Sequence, residues 1–150
     1  MRKESDRELL DFFMVTCREH HLRVTPQRLA IYVLLSESKE HPSADGVFQS
    51  IKREFPSISY DTVNRTLLTF SKIGVVGIVE GRGEPRRFDP NMSSHHHFHC
   101  RRCGTITDFF SDDYDNLEIP RDLEEKFTVL NKRVVLEGIC DTCRTKQSRL

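Results

Sequence analysis

Between Phe88 and Asp108 the chain gathers Asp89, His95, His96, His97, His99, Cys100, Cys103 and Asp108. Two ligand vocabularies are interleaved here. Thiolates are soft and suit zinc, whereas imidazole mixed with carboxylate suits harder, redox-capable ions such as iron or manganese. The stretch predicts two metal sites sharing one strand. In an extended strand His95, His97 and His99 point one way, and His96, Phe98 and Cys100 the other. That alternation keeps the two sites apart.

The thiolate set is completed by a second pair, so that Cys100-x-x-Cys103 is matched by Cys140-x-x-Cys143. A two-residue gap lets a tight turn, helped by Gly104, aim both sulfurs at one ion, and two such knuckles close a tetrahedron. Disulfides or a redox pair are the alternatives, but five cysteines in a cytosolic chain argue for structural Zn(II). In the imidazole set, His95 and His97 have the same-face i,i+2 spacing that chelates, and Asp89 and Asp108 on flanking elements could complete it. His96 faces the other way and reads as a bystander. His20 and His21 end a helix, where positive charge is electrostatically welcome.

These groups need elements to hold them. Leu9, Leu10, Phe12, Phe13 and Cys17 recur at helical spacing over residues 6–20, with Cys17 read as a small core hydrophobe. Thr25-Pro26 starts a helix running to about Glu37, burying Leu29, Ile31, Tyr32, Leu34 and Leu35. Ser43 caps a third helix with Val47, Phe48 and Ile51 inward, ended by Pro56. Ser59 opens a fourth helix to about Ile73, with Val63, Leu67 and Phe70 on one side and Tyr60 at its edge. Its other side carries Asp61, Thr62, Arg65, Thr69 and Lys72, which include groups that bond phosphates and base edges. A strand over 75–80, a turn at Gly81-Arg82-Gly83 and a return strand over 85–89 follow. Helices followed by a hairpin tipped with arginine make the winged-helix plan, in which Arg82, Arg86 and Arg87 reach phosphate or the minor groove.

After a hinge at 90–94 the chain turns β-rich. Residues 95–100 and 105–110 read as strands, 115–126 as a helix lying on the sheet, 127–130 and 133–139 as a closing hairpin, and the end as a polar tail. The expectation is an α+β protein: a winged-helix DNA-binding domain over 1–89 and a small zinc-stapled α/β domain over 95–150. So short a second domain buries little apolar area, and a metal staple compensates.

Composition sets the outer limits. At 150 residues, 37% hydrophobic and 31% charged, the chain is globular. No apolar run approaches the roughly eighteen residues that span a bilayer, and no signal-peptide pattern opens the chain, so a cytoplasmic protein is expected. Net charge is zero, and neither half departs from neutrality by more than one unit. Any contact with nucleic acid rests on local placement of cations, not on a bulk field.

Taken in order, these motifs resemble the ferric uptake regulator family of metal-dependent repressors. The resemblance is carried by Val24-Thr25-Pro26-Gln27-Arg28, His41-Pro42-Ser43-Ala44-Asp45, Pro56-x-Ile58-Ser59-x-x-Thr62-Val63-x-Arg65-Thr66-Leu67, Arg87-Phe88-Asp89, the His-rich strand and both cysteine pairs. It implies a homodimer that binds double-stranded operator DNA, with the second domain dimerising and no membrane partner. It implies a regulatory Fe(II) or Mn(II) site of His41, Asp89, His95, His97 and Asp108. DNA contacts fall to Tyr60, Thr62, Asn64, Arg65, Thr69, Lys72, Arg82 and Arg86. Asp89 paired with Asp108 is similar to the peroxide-sensing branch, in which bound iron reacts with peroxide and a ligating histidine is oxidised; an iron-responsive uptake repressor is the alternative. Asn64 stands where many relatives have Tyr. A further site found in iron sensors is expected to be absent or weak, since His96 and Asn131-Lys132 occupy its places. A mononuclear two-His-plus-carboxylate enzyme leaves little room for substrate with five ligands. A plain zinc-ribbon adaptor leaves His41 and the wing arginines unexplained.

Overall fold

The computed structural model describes residues 6–79, 81 and 85–147. Two compact units divide the chain, Met1–Met92 and Ser93–Leu150.

In the first unit four helices precede a hairpin: α1 (Asp6–Glu19), α2 (Pro26–Glu37), α3 (Ala44–Ile51), α4 (Tyr60–Ile73), β1 (Gly77–Ile78) and β2 (Phe88–Asp89). The caps are those the sequence predicts. Thr25, Ser43 and Ser59 accept from the backbone N–H groups of Arg28, Gly46 and Thr62, and Pro26 occupies the first turn of α2. Gly74 ends α4 in the left-handed region at φ 80°, a conformation glycine adopts without strain. The core gathers Phe13, Ile31, Tyr32, Leu35, Val47, Ile51, Val63, Leu67 and Phe70, with Cys17 buried among them. Phe13 stacks on Tyr32 at 4.2 Å and meets Phe70 edge-on at 5.3 Å, while the Tyr32 hydroxyl donates to the Leu9 carbonyl. Phe48, expected inward, is only partly buried. Residues 52–55 leave α3 through a turn, so the helix stops at Ile51 rather than at Pro56.

The hairpin strands are shorter than the sequence suggests. Val75 and Val76 are drawn into the core, and the Val75 N–H donates to the Phe70 carbonyl, closing the end of α4 instead of joining a ladder. Only Gly77↔Asp89 and Ile78↔Phe88 pair within the strands, with Val79 N–H reaching the Arg87 carbonyl. Arg82 and most of the expected turn lie outside the described residues.

In the second unit β3 (His96–Cys100) is central in the order β4-β3-β5, pairing antiparallel with β4 (Ile106–Phe109) and parallel with β5 (Val135–Gly138). The closing hairpin is not formed. Residues 127–130 are exposed and make no strand, and the Phe127 N–H instead donates to Leu123, finishing a helical turn. The one short helix expected over 115–126 is replaced by two single turns, α5 (Asp112–Asp115) and α6 (Arg121–Glu124), with Pro120 at the N-cap position of the second. Their residues are mostly exposed, and α5 touches the sheet through Tyr114, whose ring meets those of His96 and Phe109. The expected polar tail is α7 (Asp141–Gln147), which carries Cys143 in its first turn.

Because Phe70 joins α4 to the rings of α1 and α2, Phe70→Ala is expected to lower the unfolding free energy by about 3–5 kcal/mol. Urea denaturation followed by circular dichroism measures it, and a loss well under 1 kcal/mol would mean that the aromatic cluster does not hold α4.

Candidate metal centres and nucleic-acid interface

The thiolate centre lies within the second unit. Cys100 ends β3, Cys103 sits in the turn after it, Cys140 follows β5 and Cys143 opens α7. Their sulfurs all lie within 4.8 Å of one another. A tetrahedral zinc with bonds of about 2.3 Å sets its sulfurs about 3.8 Å apart. The Cys103 and Cys140 sulfurs stand 3.7 Å apart, so the donor set fits that ion. Backbone geometry prepares the site: the Cys140 N–H donates to the Cys100 sulfur, and the Arg101 N–H donates to the Gly138 carbonyl. Arg102 adds a tie between the knuckles, its Nη1 donating to the Cys143 carbonyl at 2.9 Å.

The thiol acidities show what a cation relieves. Backbone N–H groups of Cys103 and then Cys140 pull Cys100 down to about 6, against the opposing effect of burial. Burial, followed by the neighbouring Cys140, Cys103 and Cys100 side chains, pushes Cys143 up to about 12. Four thiols in one place cannot all ionise unaided, and a dication supplies the missing charge. Cys100→Ser is expected to abolish the tightly held zinc, measured by metal analysis after dialysis against chelator. Retention of a full equivalent would remove the assignment.

The imidazole groups are built separately in each unit. In the first, His41 and Asp89 are both buried, with Nε2 3.8 Å from Oδ2. His41 takes a left-handed backbone at φ 49°, which costs a non-glycine residue roughly 1 kcal/mol or more. Asp89 ends β2 and accepts from the Asn91 N–H at 2.8 Å.

In the second unit His95 and His97 converge, their Nε2 atoms 3.0 Å apart and 3.7 and 3.4 Å from Asp108 Oδ1. The β3–β4 register sets Asp108 directly opposite His97. The Ser93 carbonyl lies 2.8 Å from His95 Nδ1, so that nitrogen carries the proton and Nε2 presents a lone pair. Without an ion, His95 Nε2 then accepts from His97. Two imidazole nitrogens and a carboxylate oxygen thus converge on one point, a donor set that suits a divalent cation.

His96 is not a bystander. It is fully buried, its Nδ1 accepts from the Val134 N–H, and its ring sits against those of Phe109 and Tyr114. Its Nε2 lies 3.4 Å from Asp115 Oδ1, which also accepts from the Ser94 hydroxyl. The alternation of β3 put His96 on the same face as Cys100; what the sequence hid was the loop supplying Val134. Lys132, near the place of the further site, donates to the Leu117 carbonyl at 2.6 Å.

On α4 the outward face carries Tyr60, Thr62, Arg65 and Lys72 exposed, with Asn64 and Thr69 half-buried. Arg65 pairs with Asp61 at 3.0 Å, both side chains mostly in solvent. Thr69 spends its hydroxyl proton on the Arg65 carbonyl, so it offers a lone pair rather than a donor to a phosphate. Arg86 is exposed just before β2. Arg87, read with the wing cations, turns back along the first unit, its guanidinium donating to the Glu40 and His41 carbonyls.

A model described as the Ferric uptake regulator family matches residues 19–137. The peroxide-responsive repressor PerR of Staphylococcus aureus (strain Mu50) is 34% identical over 143 residues, covering 95% of this chain and 97% of the relative. The Helicobacter pylori ferric uptake regulator Fur, a structure described as having three functional metal binding sites, superposes with a TM-score of 0.75 at 21% identity, covering 96% of this chain and 97% of that one. PerR from Streptococcus pyogenes gives 0.50 at 30% identity, covering 88% and 90%.

Proposed function

The chain belongs to the Ferric uptake regulator family, as a metal-dependent transcriptional repressor rather than an enzyme, and on that footing we propose that it senses peroxide through a bound Fe(II). In this reading Fe(II) or Mn(II) is held by His41 and Asp89 of the first unit together with His95, His97 and Asp108 of the second. An ion ligated from both units favours one arrangement of them, which is the arrangement that holds DNA. The observation carrying the reading is the convergence of the His95 and His97 nitrogens on the Asp108 carboxylate.

Fe(II) held there would supply the redox chemistry that Mn(II) does not: peroxide would be the two-electron oxidant, leaving one oxygen on His41 or His95 and releasing the other as water, with the iron returned to Fe(II). A histidine so modified would no longer ligate, the ion would be lost, and the operator would be released. The repressor acts as a homodimer in the cytoplasm. Support for a second copy comes from the second unit: β5 is an edge strand with Val135 and Leu136 exposed, and Phe127 and Leu130 are 63% and 91% exposed. No helix among the described residues is long and apolar enough to cross a membrane.

The test is a mobility-shift titration with Mn(II) and with Fe(II), before and after micromolar-range peroxide. Both ions should support operator binding, and only the iron form should lose it, with an added oxygen on His41 or His95 by mass spectrometry. Asp89→Glu, whose longer carboxylate would hold an ion with a different bite, is expected to keep metal-dependent binding and slow the inactivation. An iron form that keeps its operator and unmodified histidines would leave an iron-responsive repressor in its place.

The α4 face is tested by Arg65→Ala, which is expected to weaken operator binding by about 1–3 kcal/mol if Arg65 reads a base edge. If it touches phosphate instead, the salt slope flattens by about one unit. Unchanged affinity removes Arg65 from the interface.

A further inference from the structure

Arg87 stands two residues before Asp89 on the same extended segment, and its side chain turns back along the first unit rather than out of the hairpin. Nη2 donates to the Glu40 carbonyl at 2.7 Å, and Nε donates to the His41 carbonyl. Backbone bonds reinforce the same junction, since Ser43 bridges Arg87 and the Phe88 N–H donates to the Pro42 carbonyl at 3.0 Å. The residue so gripped is His41, whose φ of 49° lies in the left-handed region that a non-glycine residue keeps only when its surroundings impose it.

We infer that Arg87 is a positioning residue for the regulatory metal: it locks His41 in its left-handed conformation and so aims the imidazole at the ion shared with Asp89. The inference rests on the proposed assignment of His41 and Asp89 as ligands. Two consecutive carbonyls are fixed by one planar guanidinium, whose rigid fork reaches both, whereas a lysine ammonium on a flexible stem satisfies one carbonyl poorly and the pair worse. His41 and Asp89 come from separate segments, and Arg87 is the side chain that ties the loop of one to the strand of the other. Because the same strand forms half of the hairpin next to exposed Arg86, a shift of that strand would be felt at His41.

The experiment is a double-mutant cycle on the full chain, read as Mn(II) affinity by calorimetry, with zinc content and thermal midpoint as controls. Arg87→Ala is expected to weaken Mn(II) binding about 10- to 100-fold, the usual effect of losing a group that orients a ligand, while the structural zinc stays bound. Arg87→Lys should fall between Arg87→Ala and the parent. In a His41→Ala background, Arg87→Ala should cost nothing further, because the imidazole it positions is gone. A loss of the same size in both backgrounds, or no loss in the parent, would overturn the inference. His41→Ala that leaves Mn(II) binding intact would instead remove the ligand assignment on which it rests.

Discussion

β3 is hydrogen-bonded along both edges, to β4 on one side and β5 on the other, and the second unit depends on that constraint. A strand paired twice cannot slip by one residue without breaking both ladders, and a slip would exchange its faces. The chain extending into β3 therefore holds His95 and His97 to one side and Cys100, with His96, to the other. Each face then recruits its complement from the neighbouring strands: Asp108 through the β4 register, and the Cys140 knuckle through the parallel pairing of Cys100 with Gly138. One backbone constraint sorts the two donor chemistries that the sequence interleaves.

The thiolate centre secures the far end of the same sheet. Nothing in α5 or α6 buries much apolar surface, so the unit has little core beyond the sheet itself. The four cysteines meet at the end of β3, after β5 and at the start of α7, and a metal held among them would tie these pieces at one point, where hydrophobic contact alone is thin.

Helix caps, the buried face of α4 and the gathering of the four cysteines were legible because each depends on local pattern: Thr25-Pro26, Ser59 and the paired Cys-x-x-Cys motifs carry their geometry in the spacing. What was not legible depends on partners distant in sequence. Residues 127–130 have strand-like apolar composition, but β3 has no edge left to offer them, and the third strand comes from 135–138 in parallel. His96 looked incidental because its neighbours, Val134 in a loop and Asp115 at the end of the single-turn α5, are marked by no periodicity. Arg87 read as a wing cation for the same reason, since the carbonyls it holds lie more than forty positions earlier.

The ion pair between Asp61 and Arg65 has a consequence for how such a regulator shares a chromosome with everything else. On the proposed α4 interface, an overall neutral protein whose Arg65 already has a carboxylate beside it would gain less from an arbitrary stretch of duplex, since a phosphate would only replace one anion with another. Genomic sites outnumber operators by orders of magnitude, and a protein with a strongly basic face would be spread thinly over them. Asp61 would then lower the return from phosphate contacts that carry no sequence information, relative to contacts with base edges.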